Sequence, residues 1–306
     1  MGSYTLIDQV LVGSDHRVGW PAVVAKLREG SSDNGRLLLD DFTERTFTYP
    51  NVRETHTRPW VGIYHHPPRM PVWMPPLALP QAYLQTPRFR ASLPYLRGVI
   101  TLCEYSAAWF REQLQLPTIA LPYPIPDLGV TWKPTRSKNV WQFGWYLRNT
   151  RLLDQIYVPH PRLRPRFPAG PADQHDSRVV EHWKQRDRKT YEGVRVVDRL
   201  SNADYDAALR CDLAVVEYFD VGASTLILEC LSAAMPIAVG YHPAIAEYLG
   251  EDYPFYANGP ASYARLLNDE NAIIDTHCYM RERRRTAGTL GSFMEQLRPF
   301  LDSLDD

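Results

Sequence analysis

The sequence predicts an α/β protein built on parallel sheets, and residues 211–250 carry the clearest pattern. Residues 213–216 form an apolar run with the length of a buried parallel strand. After a short turn, an amphipathic segment at 224–234 begins with small polar residues suited to an N-cap. A second apolar run at 237–239 leads to His242 and Pro243, which begin another segment of helical spacing. This alternation of strand, loop and helix is typical of a parallel α/β unit.

The length of the chain allows two domains of this kind. It has 306 residues, of which 44% are apolar, enough for two hydrophobic cores. We predict a first domain over residues 1–128 and a second over residues 129–306, with the boundary in a weakly periodic stretch at 125–137. Strands are predicted at 9–12, 36–41, 60–64, 96–102, 118–121, 140–144, 155–159, 194–197, 213–216 and 237–239. Helices are predicted at 21–27, 84–89, 104–114, 173–190, 224–234, 260–267 and 274–301, and from residues 202 and 243 onward.

Charge and cysteine usage restrict the class of protein. The formal net charge of −1 gives no overall attraction to nucleic acid or to a membrane surface. Four cysteines without CxxC spacing predict a reduced, intracellular chain. The N-terminus lacks the pattern of a signal peptide, and no apolar run approaches the roughly 20 residues of a membrane helix. We therefore expect a cytoplasmic protein without integral membrane contact, and its oligomeric state stays open.

Small residues follow the strand at 213–216 and predict a phosphate-binding site. Gly222, Ala223, Ser224 and Thr225 form a helix start at the carboxyl end of that strand. Ligands of parallel α/β sheets bind at this edge, and the amides of a helix N-terminus attract anions. Glu229 follows about one helical turn later, on the predicted ligand side.

Two adjacent histidines follow a predicted strand of the first domain. The strand at 60–64 ends in His65 and His66, and prolines stop the pattern after them. Neighbouring side chains of an extended segment point in opposite directions, so we expect one of them, His65, to face a substrate. The alternative is a histidine satisfied by the backbone at a strand end. A metal pair is disfavoured because no third ligand is near in sequence, and we predict no metal site.

The second half resembles the nucleotide-sugar-binding half of GT-B glycosyltransferases. The text ECLSAAMPIA at 229–238 is similar to their Glu-Ala-Leu-Ala-x-Gly-x-Pro-Val-Val signature, and PAIAEYLG at 243–250 continues the similarity. The resemblance covers most of the chain, from His16 to about Tyr256, and is strongest at 224–254. It implies two Rossmann-like, doubly wound domains with an interdomain cleft, and a final helix that can cross back to the first domain. It also implies sugar transfer from a nucleotide-sugar to an acceptor hydroxyl.

The resemblance assigns roles on the donor side. Enzymes of this family place a basic residue after the first strand of the donor domain to neutralise the diphosphate, and Arg148 matches it, with Arg151 in reserve. A guanidinium suits this task because it binds two phosphate oxygens at once; the alternative is an arginine on a solvated loop. Glu229 would accept hydrogen bonds from the ribose. A UDP-sugar is the expected co-substrate, with no further cofactor and no metal.

The acceptor side would lie on the first domain. The resemblance brings His16, Arg17 and Trp73 to this side together with His65. His65 would be the general base of an inverting enzyme, or would orient the acceptor of a retaining one. The acceptor itself could be a glycan, a protein, a small molecule, or a hydroxylated or modified DNA base.

One departure from the family pattern leaves the stereochemical course open. Many retaining members carry a second Glu eight positions before the ribose glutamate. Here that position is Val221, with Asp220 beside it. The missing glutamate permits an inactive nucleotide-sugar-binding protein as an alternative. A nucleotide-sugar epimerase, which shares this fold and donor site, is a further alternative.

Two further charge patterns have competing interpretations. Asp204 and Asp206 form a D-x-D text at a predicted helix start, where we favour capping over a metal site. Basic clusters at 162–166, 184–189 and 281–285 would bind DNA phosphates if they shared one face. Charge runs are more often solvated faces, so DNA is the weaker alternative.

Overall fold

The computed structural model describes residues 4–9, 19–48, 55–71, 74, 78–166 and 193–304. The chain divides into two compact units. The first unit comprises Met1–Val72, Pro76–Pro124 and Gly288–Asp306, and the second comprises Trp73–Pro75 and Ile125–Ala287. Each unit contains its own parallel sheet.

The described strands of the first unit lie in chain order, and every pair is parallel. The strands are β1 (Tyr4–Ile7), β2 (Leu37–Asp40), β3 (Trp60–Tyr64), β4 (Leu96–Thr101) and β5 (Thr118–Ala120). The helices are α1 (Trp20–Gly30), α2 (Thr43–Thr48), α3 (Pro80–Tyr83), α4 (Pro87–Ser92), α5 (Glu104–Leu114) and, from the end of the chain, α12 (Leu290–Asp302).

Aromatic packing forms the core beneath β3. The ring centroids of Phe47 and Phe89 are 5.1 Å apart, and those of Tyr64 and Phe110 are 4.4 Å apart. The indole of Trp60 is fully buried and donates a hydrogen bond to the Ser92 carbonyl at 2.9 Å. Because buried aromatic rings contribute much of the packing free energy of a small core, this cluster fixes the strand that precedes His65.

The second unit has the strand order of a doubly wound sheet. Its strands are β6 (Val140–Trp141), β7 (Arg162–Pro165), β8 (Val194–Val197), β9 (Leu213–Val216), β10 (Ile237–Gly240) and β11 (Tyr256–Ala257). They are arranged in the parallel order β11-β10-β9-β6-β7-β8. The order reverses between β6 and β9, which makes this position the topological switch point where ligands of such sheets bind. The helices are α6 (Leu152–Gln155), α7 (Asn202–Cys211), α8 (Thr225–Ala233), α9 (Pro243–Leu249), α10 (Gly259–Asn268) and α11 (Glu270–Thr286).

Asp212 joins several parts of the second unit. Its carboxylate accepts hydrogen bonds from the Trp141 indole at 2.6 Å and from the Asn139 amide at 2.8 Å. Its carbonyl accepts one from the Trp132 indole at 2.7 Å. These bonds satisfy the polar atoms of two buried tryptophans and hold β6 beside β9.

The end of α8 explains a residue of the glycosyltransferase signature. Ala234 stands where the signature has Gly, and it adopts the left-handed conformation with φ 53°. Met235 then donates its N–H to the Cys230 carbonyl at 2.8 Å, as in a Schellman cap. The chain therefore keeps the turn for which the signature has a glycine, although the left-handed backbone conformation is unfavourable for an alanine.

Most predicted elements are confirmed, and the exceptions have physical causes. The first strand is β1 at Tyr4–Ile7, not residues 9–12; Gln9 is not in a strand, and residues 10–12 lie outside the described parts. The strand predicted at 155–159 is wrong, because the strand of the sheet in this region is β7. Two of its four residues are arginines, so its sequence lacks the apolar pattern that predicts a buried strand. The last helical region is two helices, α11 and α12, and the helix predicted at 84–89 is α4, at Pro87–Ser92. Four elements were not predicted: α2, α3, α6 and β11. The charged helix predicted at 173–190 lies outside the described residues.

A buried carboxyl in the first unit makes stability depend on pH. Asp41 accepts hydrogen bonds from the Gln9 amide at 2.6 Å and the Trp20 indole at 3.1 Å. Burial nevertheless raises its pKa from 3.8 to about 7. The folded state thus retains the proton to a higher pH than the unfolded chain, so this group favours folding at low pH and that contribution is lost as pH rises from about 4 to about 7.

We therefore expect the wild-type protein to lose roughly 3 kcal/mol of stability from this group between pH 5 and pH 8. The Asp41→Asn variant cannot titrate at this position and should show a smaller loss over the same range. The measurement is the unfolding free energy of both proteins at the two pH values. Asp33→Asn, at an exposed loop position, is the matched control. Equal pH dependence in wild type and Asp41→Asn would contradict the assignment.

Candidate functional site

The loops after β6 and β9 are joined at the switch point of the second sheet. Arg148 and Tyr218 form an isolated antiparallel bridge, and the Phe219 amide donates to the Leu147 carbonyl at 2.9 Å. Since β6 and β9 are parallel neighbours, both loops leave the sheet at the same edge. The bridge holds their side chains together there.

Arg148 is held in place by its own loop. Its guanidinium donates to the Phe143 carbonyl and lies 5.6 Å from the centroid of the Tyr218 ring. Its Nε atom is buried and has no hydrogen-bond partner among the described residues. Gly144 has φ +67°, and a Cβ there would come within 2.0 Å of the guanidinium, so glycine is required for this arrangement. The result is a preorganised cation at the switch point.

The start of α8 offers backbone donors beside this cation. Ser224 occupies the N-cap position, yet its hydroxyl makes no capping hydrogen bond and lies 2.5 Å from the Tyr218 hydroxyl instead. Gly222 and Ala223 precede it, and Thr225 begins the helix. A helix start without a side-chain cap presents N–H groups that an anion can accept.

Glu229 is buried one turn into α8 and receives a hydrogen bond from another helix. The Tyr205 hydroxyl donates to its Oε2 atom at 2.8 Å. Burial, and then the charge of Glu229, raise the pKa of Tyr205 well above its ordinary value, so the hydroxyl keeps its proton and acts as a donor. The Tyr205 ring also packs 4.6 Å from the ring of Phe143.

The predicted donor-side residues meet around shared neighbours. The pKa values of Tyr205 and of the Cys230 thiol are both raised, chiefly by burial, with Glu229 adding to the rise and Arg148 opposing it. Arg148, from the loop after β6, and Glu229, on the helix after β9, thus both lie close enough to Tyr205 and Cys230 to influence them electrostatically. Arg151 is not among these neighbours; it is exposed at the start of α6. There burial raises the pKa of Asp154, and the charge of Arg151 partly opposes the rise.

The position of the family's second glutamate is apolar and buried. Val221 occupies it, and its amide donates to the neighbouring Asp220 carboxylate at 2.9 Å. The same carboxylate oxygen is 3.0 Å from Nε2 of His242. Nδ1 of His242 accepts from the Ala244 amide at 3.2 Å and caps α9, so the hydrogen-bond network assigns the proton to Nε2. Asp220 is therefore tied to the loop after β10.

In the first unit, His65 has a defined tautomer. Its Nε2 atom is 2.9 Å from the Asp41 carbonyl oxygen, which can only accept, so Nε2 donates this hydrogen bond and the neutral form of the ring has its lone pair at Nδ1. The ring makes edge contacts with Trp20 and Phe42, at centroid distances of 4.4 Å and 4.1 Å. A fixed imidazole with its basic nitrogen at Nδ1 can act as a general base.

Glu44 supports the turn that carries both histidines. Its Oε1 atom accepts the backbone N–H groups of His65 and His66, each at 2.7 Å. The carboxyl is fully buried, and burial raises its pKa while the charge of His66 opposes the rise. His66 itself donates from Nδ1 to the Ala78 carbonyl at 2.8 Å. His16, Arg17 and Trp73 lie outside the described residues.

Four arginines of the described basic clusters make contacts within the second unit. Arg162 and Arg164 are buried on β7, where Arg162 donates to the Leu153 carbonyl at 2.8 Å and Arg164 pairs with Asp154 at 3.3 Å. Two arginines at the end of α11 also donate to main-chain carbonyls: Arg283 and Arg284. These four side chains are therefore occupied within the protein, whereas Arg281 and Arg285 are exposed, and residues 184–189 lie outside the described parts.

The capping interpretation of the D-x-D text is confirmed. Ser201 is the N-cap of α7, and its hydroxyl accepts the amide of Asp204 at 3.1 Å. Asp204 lies in the first turn, where its charge suits the helix dipole.

Sequence reasoning missed the residues that hold the candidates in place. These residues are Tyr205, Tyr218, Asp41 and Glu44. Tyr205 is 24 positions from Glu229, and Glu44 is 21 positions from His65, so the fold brings each pair together. Periodicity and spacing carry no signal for such contacts. Only the position of Tyr218 after β9 could have indicated a site residue.

The chain matches solved structures, but it matches no family model and no curated protein sequence. No family model and no curated protein matches the chain. The structure of S. aureus TarM with fondaparinux, alpha-GlcNAc-glycerol and UDP matches with a TM-score of 0.61 at 11% identity, over 87% of this chain and 55% of TarM. The chain thus spans about half of the length of that protein. Within the described residues, no helix has the length and apolar character needed to cross a membrane.

Two further solved structures match over more of their own length. Sucrose-phosphate synthase from Thermosynechococcus elongatus has a TM-score of 0.61 at 12% identity, over 92% of this chain and 77% of the synthase. Anabaena HepE in complex with UDP and glucose has a TM-score of 0.61 at 12% identity, over 92% of this chain and 82% of HepE. With its two parallel-sheet units, the chain has the GT-B fold of these glycosyltransferases.

Proposed function

We propose that this protein is a glycosyltransferase that moves a sugar from a UDP-sugar to an acceptor hydroxyl. The observation that carries the proposal is the meeting of Arg148, the uncapped start of α8 at Ser224, and Glu229 at the switch point of the second sheet. UDP is the nucleotide of choice because the structures of TarM and HepE contain it.

The chemistry of the leaving group explains the donor side. Sugar transfer releases a nucleoside diphosphate, so the enzyme must stabilise negative charge that grows on the phosphate oxygens in the transition state. The Arg148 guanidinium can bind two such oxygens, and the first amides of α8 can donate hydrogen bonds to another. Because Gly144 and Tyr218 already hold the guanidinium, little reorganisation is needed when the diphosphate binds. Arg151, exposed on α6, is the reserve for this role.

His65 is the proposed acceptor-side residue, with His16, Arg17 and Trp73 as its expected companions. In an inverting enzyme Nδ1 of His65 would take the proton of the acceptor hydroxyl, since Nε2 is bound to the Asp41 carbonyl. The acceptor is a glycan, a protein or a small molecule. A DNA acceptor is less well supported because Arg162 and Arg164 are buried.

One observation favours a second candidate function. Val221 is buried where many retaining enzymes of this fold carry a glutamate. A protein that binds a nucleotide-sugar without transferring it would tolerate this change. Nucleotide binding with no turnover on any acceptor would identify that case.

The first test is binding of UDP, GDP, ADP and CMP to the wild type and to Glu229→Ala. We expect UDP to bind and its Kd to rise at least about tenfold in the variant, because hydrogen bonds to a charged group are worth about 1.5–3 kcal/mol each. Calorimetry supplies the Kd values, and thermal unfolding without nucleotide shows whether the variant is folded. Glu282→Ala, an exposed glutamate on α11, is the control. Absence of binding by any nucleotide to the wild type would overturn the proposal.

The diphosphate role of Arg148 has a separate readout. Arg148→Ala should weaken UDP binding about tenfold or more while leaving uridine binding nearly unchanged, because uridine lacks the phosphates. Calorimetric titration with both ligands gives the two ratios. Arg151→Ala should cause the smaller loss; a larger loss there would move the diphosphate to the reserve arginine.

His65 is tested in the transfer reaction once an acceptor has been found with the UDP-sugar. His65→Gln retains an N–H donor but removes the base, so kcat should fall by about 10²–10⁴ in an inverting enzyme. The UDP affinity should not change, because the donor groups lie in the second unit. His66→Gln is the neighbouring control. An unchanged kcat in His65→Gln would exclude the base and leave an orienting role at most.

A further inference from the structure

The residue in the middle of the D-x-D text has a contact that the proposed function does not yet use. Tyr205 lies on α7, and its hydroxyl donates to Oε2 of Glu229 on α8 at 2.8 Å. The flanking Asp204 takes part in the helix cap. In this motif the tyrosine, rather than the two carboxylates, therefore contacts the candidate site.

The ring of Tyr205 is held by a stack of aromatic side chains. Phe143 packs 4.6 Å from it, and Trp141 stacks on Phe143 at 5.2 Å with nearly parallel planes. Trp141 in turn donates to the Asp212 carboxylate at 2.6 Å. This stack extends from strand β6 to the Tyr205 ring, so the position from which the Tyr205 hydroxyl donates to Glu229 is fixed by packing.

The hydroxyl acts on the carboxylate in two ways. Its proton is retained, because burial raises the pKa of Tyr205 well above the ordinary value. A donor aimed at a carboxylate favours the ionised form and is stronger than a hydrogen bond between neutral groups. It also fixes the plane of the Glu229 carboxylate, which determines where ligand hydroxyls can donate.

We propose that Tyr205 is a positioning residue for Glu229 and, through it, a determinant of ribose recognition. The proposal rests on the proposed function, in which Glu229 accepts hydrogen bonds from the ribose of a nucleoside diphosphate. An ionised carboxylate in a fixed plane suits the vicinal 2′- and 3′-hydroxyls of a ribonucleotide, and it loses a partner when the 2′-hydroxyl is absent. The ligand class is therefore ribonucleoside diphosphates in preference to 2′-deoxy analogues.

The test compares UDP with 2′-deoxy-UDP on the wild type, Tyr205→Phe, Glu229→Gln and the double variant. Removing only the hydroxyl should weaken UDP binding about three- to tenfold and affect 2′-deoxy-UDP less, so the ratio of the two Kd values falls toward one. The double variant should bind UDP as weakly as Glu229→Gln alone, because the tyrosine acts through the glutamate. Tyr279→Phe is the matched control, since it removes another bond from a tyrosine to a carboxylate, that of Asp252 at 2.8 Å.

The outcomes separate this inference from the proposed function. UDP binding that depends on Glu229 but is the same in wild type and Tyr205→Phe would overturn the inference and leave the function standing. Equal weakening of both nucleotides in Tyr205→Phe would show a purely structural role and would also overturn it. No UDP binding by the wild type would overturn both.

Discussion

The pairing of β6 with β9 is the constraint on which the candidate donor site depends. Trp141 is aligned with Ala214 across these strands, and the sheet order reverses at this pair. The connections from the two strands therefore run to opposite sides, and a crevice opens between their loops. The bridge between Arg148 and Tyr218 spans the loops, and it places the cation beside the start of α8. Without this adjacency, residues about 80 positions apart would not meet.

Burial of polar groups accompanies this arrangement in both units. The Nε atom of Arg148 and the Oε2 atom of Glu44 are buried without a hydrogen-bond partner among the described residues. Such atoms cost free energy unless they are paired, and natural proteins retain them chiefly where function requires. The packed aromatic cores around Trp60 and Trp141 supply the apolar burial that offsets this cost.

How much the sequence predicts depends on whether the information is local. The strand Leu213–Val216 and the helix after it were predicted almost to the residue, because an uninterrupted apolar run and a proline stop are local signals. Strand β7 was missed because Arg162 and Arg164 are buried by contacts with Leu153 and Asp154, which no spacing rule reveals.

The same distinction applies to the candidate site residues. His65 could be named as a candidate because the end of a buried strand is a local feature of the sequence. Glu44 and Tyr205 could not, because each reaches its partner only through the fold. The sequence thus offers candidates for the chemistry, whereas it gives no signal for the residues that orient them.

The two departures from the glycosyltransferase signature differ in kind. Ala234 replaces a glycine yet keeps its left-handed conformation and its cap, so the departure alters strain and leaves the geometry of α8 intact. Val221 replaces a carboxylate with a buried aliphatic side chain, and the adjacent Asp220 is bound to His242. The first change leaves the helix that carries Glu229 in place, whereas the second removes a charged group next to the sugar position that the resemblance implies. The first departure therefore leaves Glu229 and the start of α8 where the proposed donor site needs them, and the second changes only the position that the resemblance assigns to the sugar.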